Sequence, residues 1–182
     1  EGVNLTQLSE KDLTRLRRAE DAVQTLSYFD SATGLPNRRH LLEQLSTALT
    51  DRKSGTALCV AAFRVHGLDR IVQAHGAELA DKILSEAARQ IGEHLAEAGT
   101  GGTLLKQANT ARVCRTSEAG LAMLIHSREP VECLPDLICT ALARVSGQPT
   151  NLGTEYLPAV SAGIALVDGD MTGAEQLLTN AQ

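Results

Sequence analysis

Tryptophan is absent from this chain of 182 residues, and Phe and Tyr occur only twice each. With 43% of residues hydrophobic, the core must therefore be aliphatic, built from Leu, Ala, Val and Ile. No apolar run approaches the ~20 residues that a membrane-spanning helix needs, and no signal-peptide pattern opens the sequence. Positive charge is also scarce: 17 Lys and Arg stand against 22 Asp and Glu, for a net charge of −5. Without a basic cluster there is no electrostatic footprint for nucleic acid and no grip on an anionic membrane surface. Cys59, Cys114, Cys133 and Cys139 lack the paired close spacings and neighbouring His of a zinc site. They are expected to be buried or inert thiols in a reducing compartment. G-x-S-x-G, H-E-x-x-H and phosphate-loop patterns are missing, as are internal repeats and low-complexity segments.

A chain of this length buries one core and carries an appendage. Residues 1–29 read as an amphipathic helix, because Leu16, Ala19, Val23 and Leu26 recur at steps of three and four with Arg17, Arg18, Glu20 and Asp21 between them. Leu5, Leu8 and Leu13 fit that stripe less well, so the first turns are expected to fray. Two readings stay open: a helix packed on its own domain, or a short signalling coiled coil. Beyond a turn at residues 33–37, residues 38–50 place Leu41, Leu42, Leu45, Ala48 and Leu49 on one helical face. Residues 57–65 form a nearly continuous apolar run, the mark of a strand covered on both sides.

Gly67 ends that run and a helix begins near Leu68. A longer helical stretch over 79–96 is preceded by a bend near Gly76 and stops at the glycines of 99–102. Two β-type runs, 111–116 and 121–126, are separated by a short segment containing Gly120, a hairpin signal. Residues 134–145 are helical, with Pro135 in the first turn where a missing N–H is harmless. A last apolar strand spans 157–167, and a helix opens at Ala174 that the chain end cuts short. Strands interleaved with helices imply an α/β arrangement with the apolar strands central.

The segment Asp30-Ser31-Ala32-Thr33-Gly34-Leu35-Pro36-Asn37-Arg38-Arg39 resembles the D-x-L-T-G-L-P-N-R-R motif of the GGDEF (diguanylate cyclase) family, with Ala32 in the leucine slot. Leu41, Leu42 and Leu45 fit that family's first helix. Ala159-Val160-Ser161-Ala162-Gly163-Ile164-Ala165 is similar to its V-S-x-G-I-A strand, and Leu177-Leu178-Thr179-Asn180-Ala181-Gln182 to the start of its L-L-x-x-A-D segment. The resemblance implies an α+β fold: a central, mostly antiparallel five-stranded sheet flanked by helices, like the palm of nucleotide cyclases and polymerases. It implies two parts, an N-terminal signalling or linker helix over 1–29 and a GGDEF domain over 30–182 whose last helix is truncated. The family condenses two GTP molecules into cyclic di-GMP across a face-to-face dimer, using metal-bound carboxylates to neutralise the triphosphate.

Against that pattern the site positions of this chain are unusual. Ser117 and Glu118 stand where the signature has two glycines, Ala119 and Gly120 occupy its acidic positions, and Leu121 follows. An alanine methyl offers no oxygen to a hard divalent ion. Aligned on Gly76, His66 takes the first-strand aspartate slot, Leu68 the phenylalanine slot and Asp69 the lysine slot, while Val72 and Gln73 replace an Asn-Asp pair. Imidazole is a poor partner for Mg²⁺. Only Asp81 survives among the implied guanine contacts. Ala108-Asn109-Thr110-Ala111 fill the R-x-x-D positions of the inhibitory site, so its phosphate clamp is missing.

These substitutions imply a catalytically inactive, degenerate domain with no bound metal or cofactor, acting as a regulatory or scaffolding module in bacterial cyclic di-GMP signalling. The expected location is the cytoplasm. The implied partners are sensor and EAL-type domains of the same protein and a second copy held through the N-terminal helix. The alternative is an allosteric GTP- or nucleotide-binding module that regulates an adjacent EAL domain, with Asp81 as its support. A divergent phosphotransferase would need metal ligands recruited from elsewhere, such as His66 and Asp69. Plainer roles are expected for His66 and His75 (polar groups at a cleft rim), for Glu118 (capping, or pairing with Arg115) and for Arg38 and Arg39 (contacts of the opening turn).

Overall fold

The computed structural model describes residues 14, 15, 17, 27–50, 57–98, 113–127, 133–146, 150, 151, 155, 156, 159–167 and 173–182. The elements run α1 (Arg38–Thr50), β1 (Ala57–His66), α2 (Leu68–His75), α3 (Ala77–Ala98), β2 (Cys114–Arg115) and β3 (Gly120–Ser127). They continue with α4 (Leu134–Ser146), β4 (Thr150–Asn151), β5 (Glu155–Tyr156), β6 (Ala159–Leu166) and α5 (Ala174–Ala181). The main sheet has the order β2-β3-β1-β6, with every neighbouring pair antiparallel.

β1 is central, and its side chains alternate between two cores. Cys59, Ala61, Phe63 and Val65 pack with Leu68, Ile83, Leu84, Ile91 and Ile138 from α2, α3 and α4. Leu58, Val60 and Ala62 pack on the other face with Leu41 and Leu45 of α1 and Leu177 and Leu178 of α5. With helices on both faces neither side of β1 meets water from Leu58 to Phe63, which is why that stretch shows no polar alternation. α3 contributes Ile83, Leu84, Ala87, Ala88, Ile91 and Leu95, a stripe at helical spacing.

The expected five-stranded sheet is corrected to four strands among the described residues, with a separate two-stranded β4-β5 ladder. β4 and β5 are two-residue pieces bracketed in sequence by Pro149 and Pro158 and parted by Gly153. Proline cannot donate to a ladder, so this segment closes on itself as a short hairpin. That hairpin went unread in the sequence. At the opposite edge β2 is only Cys114–Arg115, because Thr116 N–H turns to bond the Gly120 carbonyl at 2.9 Å. One parallel bridge from Asn37 to Arg115 extends that edge without making a strand.

The bend expected near Gly76 is a full break between α2 and α3. Its φ of 88° lies outside the helical region, and its N–H closes α2 on the Val72 carbonyl at 3.0 Å. In the N-terminal region Thr14, Arg15, Arg17, Ser27 and Tyr28 are helical, and the rest of that expected helix lies outside the described residues. Cys59 and Cys114 are buried, and burial pushes both thiols up to about 12. Cys133 and Cys139 are exposed, so burial holds for only half of the cysteines. No described helix is long and apolar enough to cross a membrane.

Candidate functional site

The turn ahead of α1 is built by its own side chains. Asp30 Oδ1 accepts from the Thr33 N–H at 2.9 Å and the Thr33 hydroxyl at 2.7 Å, and Gly34 N–H donates to the Asp30 carbonyl at 2.8 Å. Asn37 then caps α1, its Oδ1 accepting from His40 N–H at 3.0 Å while its Nδ2 donates to the Ser27 carbonyl at 2.9 Å. These bonds account for the residue types at 30, 33 and 37, and a φ of 69° accounts for the glycine at 34.

Arg115 ties this turn to the rest of the domain. Its Nη1 lies 2.8 Å from Asp30 Oδ1 and 2.9 Å from Asp81 Oδ1, and its Nε donates to the Ser117 carbonyl at 3.3 Å. One guanidinium, 15% exposed, thus joins the turn, α3 and the β2–β3 hairpin. Burial by itself would raise the Asp30 carboxyl, but the Thr33 hydroxyl, the Thr33 N–H and Arg115 outweigh it and hold it below the ordinary aspartate value. The pairing expected between Arg115 and Glu118 is corrected: Arg115 takes the two aspartates, the carboxylates that the fold brings nearest.

Beside this clamp opens a cavity of about 840 Å³ between the end of β1, the start of α2, α3 and the hairpin. His66, Leu68, Asp69, Val72, Asp81 and Glu118 line it, with Ser117 and Ala119 from the bend. The fold therefore gathers residues that the sequence scatters over more than fifty positions. Asp81 reaches the cavity but is held by Arg115 rather than presented as a solvated surface charge. His66 is the last residue of β1, and its Nε2 sits 2.8 Å from Ser161 Oγ on β6. His75 ends α2 and does not line the cavity, so the two histidines are not brought together there. Positions 108–111 lie outside the described residues.

Arg38 and Arg39 leave the turn: Arg38 pairs with Glu175 of α5 at 2.9 Å, and Arg39 lies 5.7 Å over the Tyr28 ring. Arg64 was passed over in the sequence. It is the single charged side chain inside the apolar run of β1, and its Cα sits opposite Gly120 on β3 and Ser161 on β6. A lone Arg at the end of an otherwise buried run was the available signal.

The donor set of the cavity does not suit a divalent cation. At the bend only Glu118 supplies a carboxylate, Ala119 and Gly120 supply none, and Arg64, opposite Gly120 in the sheet register, brings a positive charge to the same wall. Among the described residues, no three His, Cys, Asp or Glu side chains converge so as to hold a metal ion.

Residues 27–182 match the family model described as "Diguanylate cyclase, GGDEF domain". The chain is 26% identical over 170 residues to the bifunctional diguanylate cyclase/cyclic di-GMP phosphodiesterase MucR of Pseudomonas aeruginosa, a match covering 92% of this chain and 23% of MucR. It is 26% identical over 181 residues to the signaling protein YkoW of Bacillus subtilis, covering 94% of this chain and 20% of YkoW. The chain thus spans less than a quarter of the length of these curated relatives. Among solved structures, the coiled coil and GGDEF domain of DgcB from Caulobacter crescentus, in complex with c-di-GMP, has a TM-score of 0.73 at 20% identity. That likeness covers 94% of this chain and 85% of DgcB's, and at this identity it is one of fold.

Proposed function

Since the chain belongs to the GGDEF family over residues 27–182, we propose that it serves cyclic di-GMP signalling as a regulatory or scaffolding domain that makes no cyclic di-GMP itself. The observation that carries this reading is the bend at Ser117–Gly120. Phosphoryl transfer between nucleotides depends on cations that offset the triphosphate charge, and those cations depend on carboxylates. Ala119 and Gly120 have no side-chain oxygen, and Arg64 brings a positive charge that repels a divalent ion. Loss of one catalytic electrostatic element lowers a rate by about 100–1000-fold, and several are missing together. In this reading the domain's output is contact: with sensor and EAL-type domains of a longer chain, and with a second copy through the helix ahead of residue 29. The two activities in the name of MucR support such a composite setting. Incubating the protein with GTP and Mg²⁺ or Mn²⁺ and separating the products by chromatography tests it; robust formation of cyclic di-GMP sinks the proposal.

A second reading is supported by the cavity itself. Its volume of about 840 Å³ lies within the range of roughly 300–1,000 Å³ typical of small-molecule pockets. In this reading Asp81, at its wall and paired with Arg115, would be the acceptor for a base. Here the domain holds a nucleotide as an effector of a neighbouring EAL domain. Calorimetry with millimolar GTP tests it, and absence of both heat and thermal shift discards it.

A further inference from the structure

The three acceptors around Arg115 belong to three parts of the domain: Asp30 to the entry turn, Asp81 to α3 and the Ser117 carbonyl to the bend at 117–120. Asp81, Arg115 and Ser117 also line the cavity of about 840 Å³. We propose that Arg115 is a transmission element. Through it a shift of the helical end at 27–28 resets the bend and the cavity wall at Asp81, and a change at that wall is felt in return at the helical end. This coupling is a property of the fold, and it holds whether or not the cavity takes a nucleotide or the domain makes cyclic di-GMP.

The guanidinium itself is the first support. Nη1 carries two hydrogens and lies 2.8 Å from Asp30 Oδ1 and 2.9 Å from Asp81 Oδ1, so each carboxylate takes one of them. Nε has a single hydrogen, which goes to the Ser117 carbonyl at 3.3 Å. Because the group is planar and rigid, it fixes the three acceptors relative to one another. Hydrogen bonds weaken steeply off their axis, so displacing one acceptor turns the plane, and the other two must follow or lose their bonds. At 15% exposure the side chain is largely shielded from the water that would otherwise replace a lost partner.

The backbone on either side of Arg115 is the second support. Toward the N-terminus, Arg115 N–H donates to the Pro36 carbonyl at 2.7 Å, and Asp30 N–H closes the turn on the Leu35 carbonyl at 2.8 Å. Asn37 N–H donates to the Tyr28 carbonyl at 2.8 Å and its Nδ2 to the Ser27 carbonyl at 2.9 Å, so the helical end is bonded to the turn that Arg115 grips. Toward the bend, β2 is two residues long and ends at Arg115 itself. Beyond it Thr116 N–H bonds the Gly120 carbonyl and Val65 N–H the Ala119 carbonyl, each at 2.9 Å, while Ser117 and Glu118 are exposed. A bend so lightly packed takes its orientation from the residue at its base. In the regulatory reading proposed above, a rearrangement ahead of residue 29 thus reaches an exposed surface of the domain.

The test is amide hydrogen exchange followed by NMR on the 182-residue chain, with circular dichroism confirming that each variant is folded. Asp30→Asn keeps an acceptor for Thr33 but removes the charge that holds Arg115. It is expected to speed exchange at Thr116 and Val65 about fivefold, the factor for one hydrogen bond of ordinary net strength. The buried amides of α3 at 83–91 report global opening and should not change. Asp81→Asn is expected to speed exchange at Gly34 and Asn37 by a similar factor. In an Arg115→Ala background, Asp30→Asn should add nothing at Thr116 and Val65. The proposal fails if the response to Asp30→Asn is confined to 30–37, or if Asp81→Asn leaves Gly34 and Asn37 unchanged. It fails equally if Asp30→Asn speeds the bend as much without Arg115 as with it, or if 83–91 accelerate by the same factor.

Discussion

From Leu58 to Phe63 every residue of β1 is buried, whereas Arg64 and His66 at its far end are exposed. The first stretch is sandwiched between two cores and must be apolar and of fitting volume. In the second stretch Val65 still packs into the core, whereas Arg64 and His66, with Ser117 and Glu118 of the bend, are exposed and carry little of the packing. Stability and chemistry thus reside on different residues of the same strands.

The largest expected effect lies in the buried set. Leu84→Ala, at a fully buried position of α3, should cost about 2–5 kcal/mol in urea denaturation. A loss below 1 kcal/mol would mean that the core between α3 and the sheet collapses around the gap, which would blur the contrast between the two ends of β1.

The Arg115 clamp is the intermediate case, since it sits at the cleft yet holds the frame. Arg115→Ala leaves Asp30 and Asp81 without their shared cation and should cost about 1–3 kcal/mol. It also has a pH signature. Asp30 is held below its ordinary value in the folded state, so its contribution is complete above the unfolded-state value of about 3.9. That contribution is lost as pH falls through the lower folded value. Urea midpoints measured from pH 6 down to pH 2 should therefore fall less steeply in Arg115→Ala than in the parent. Equal slopes would show that Arg115 does little for the Asp30 carboxyl.

Gly163→Ala probes a close approach on the side of α5. A Cβ there would meet the Ala181 carbonyl oxygen and must displace backbone, so a loss of about 1–3 kcal/mol is expected in the same denaturation assay. The smallest effect belongs to the exposed ladder of α3, where Arg89 pairs with Glu86 and Glu93. Arg89→Ala should change stability by about 0.5 kcal/mol or less, and a loss beyond 1 kcal/mol would show a network stronger than exposed ion pairs usually form.

Much of the frame was readable in the residues because it rests on local periodicity. The apolar run of β1, the stripe of α3, the Pro135 position in α4 and the 121–126 strand all correspond to observed elements. The count of strands was not readable. Whether 150–156 joins the main sheet or pairs with itself depends on non-local edges, and two-residue strands carry no alternation to detect. In the site, the missing oxygens at 119 and 120 could be read directly. The two-aspartate grip of Arg115 and the alignment of Arg64 with Ser161 could not, because both join residues far apart in the chain.

The order of residues by itself determined the family frame and the aliphatic, two-sided core, since burial follows from hydrophobic spacing along a single segment. Tertiary structure alone decided where the charges went. Antiparallel register set Arg64 opposite Ser161 and Gly120, and hairpin closure swung Arg115 onto Asp30 and Asp81. Electrostatic partners are chosen by proximity in space, and spacing along the chain does not encode it.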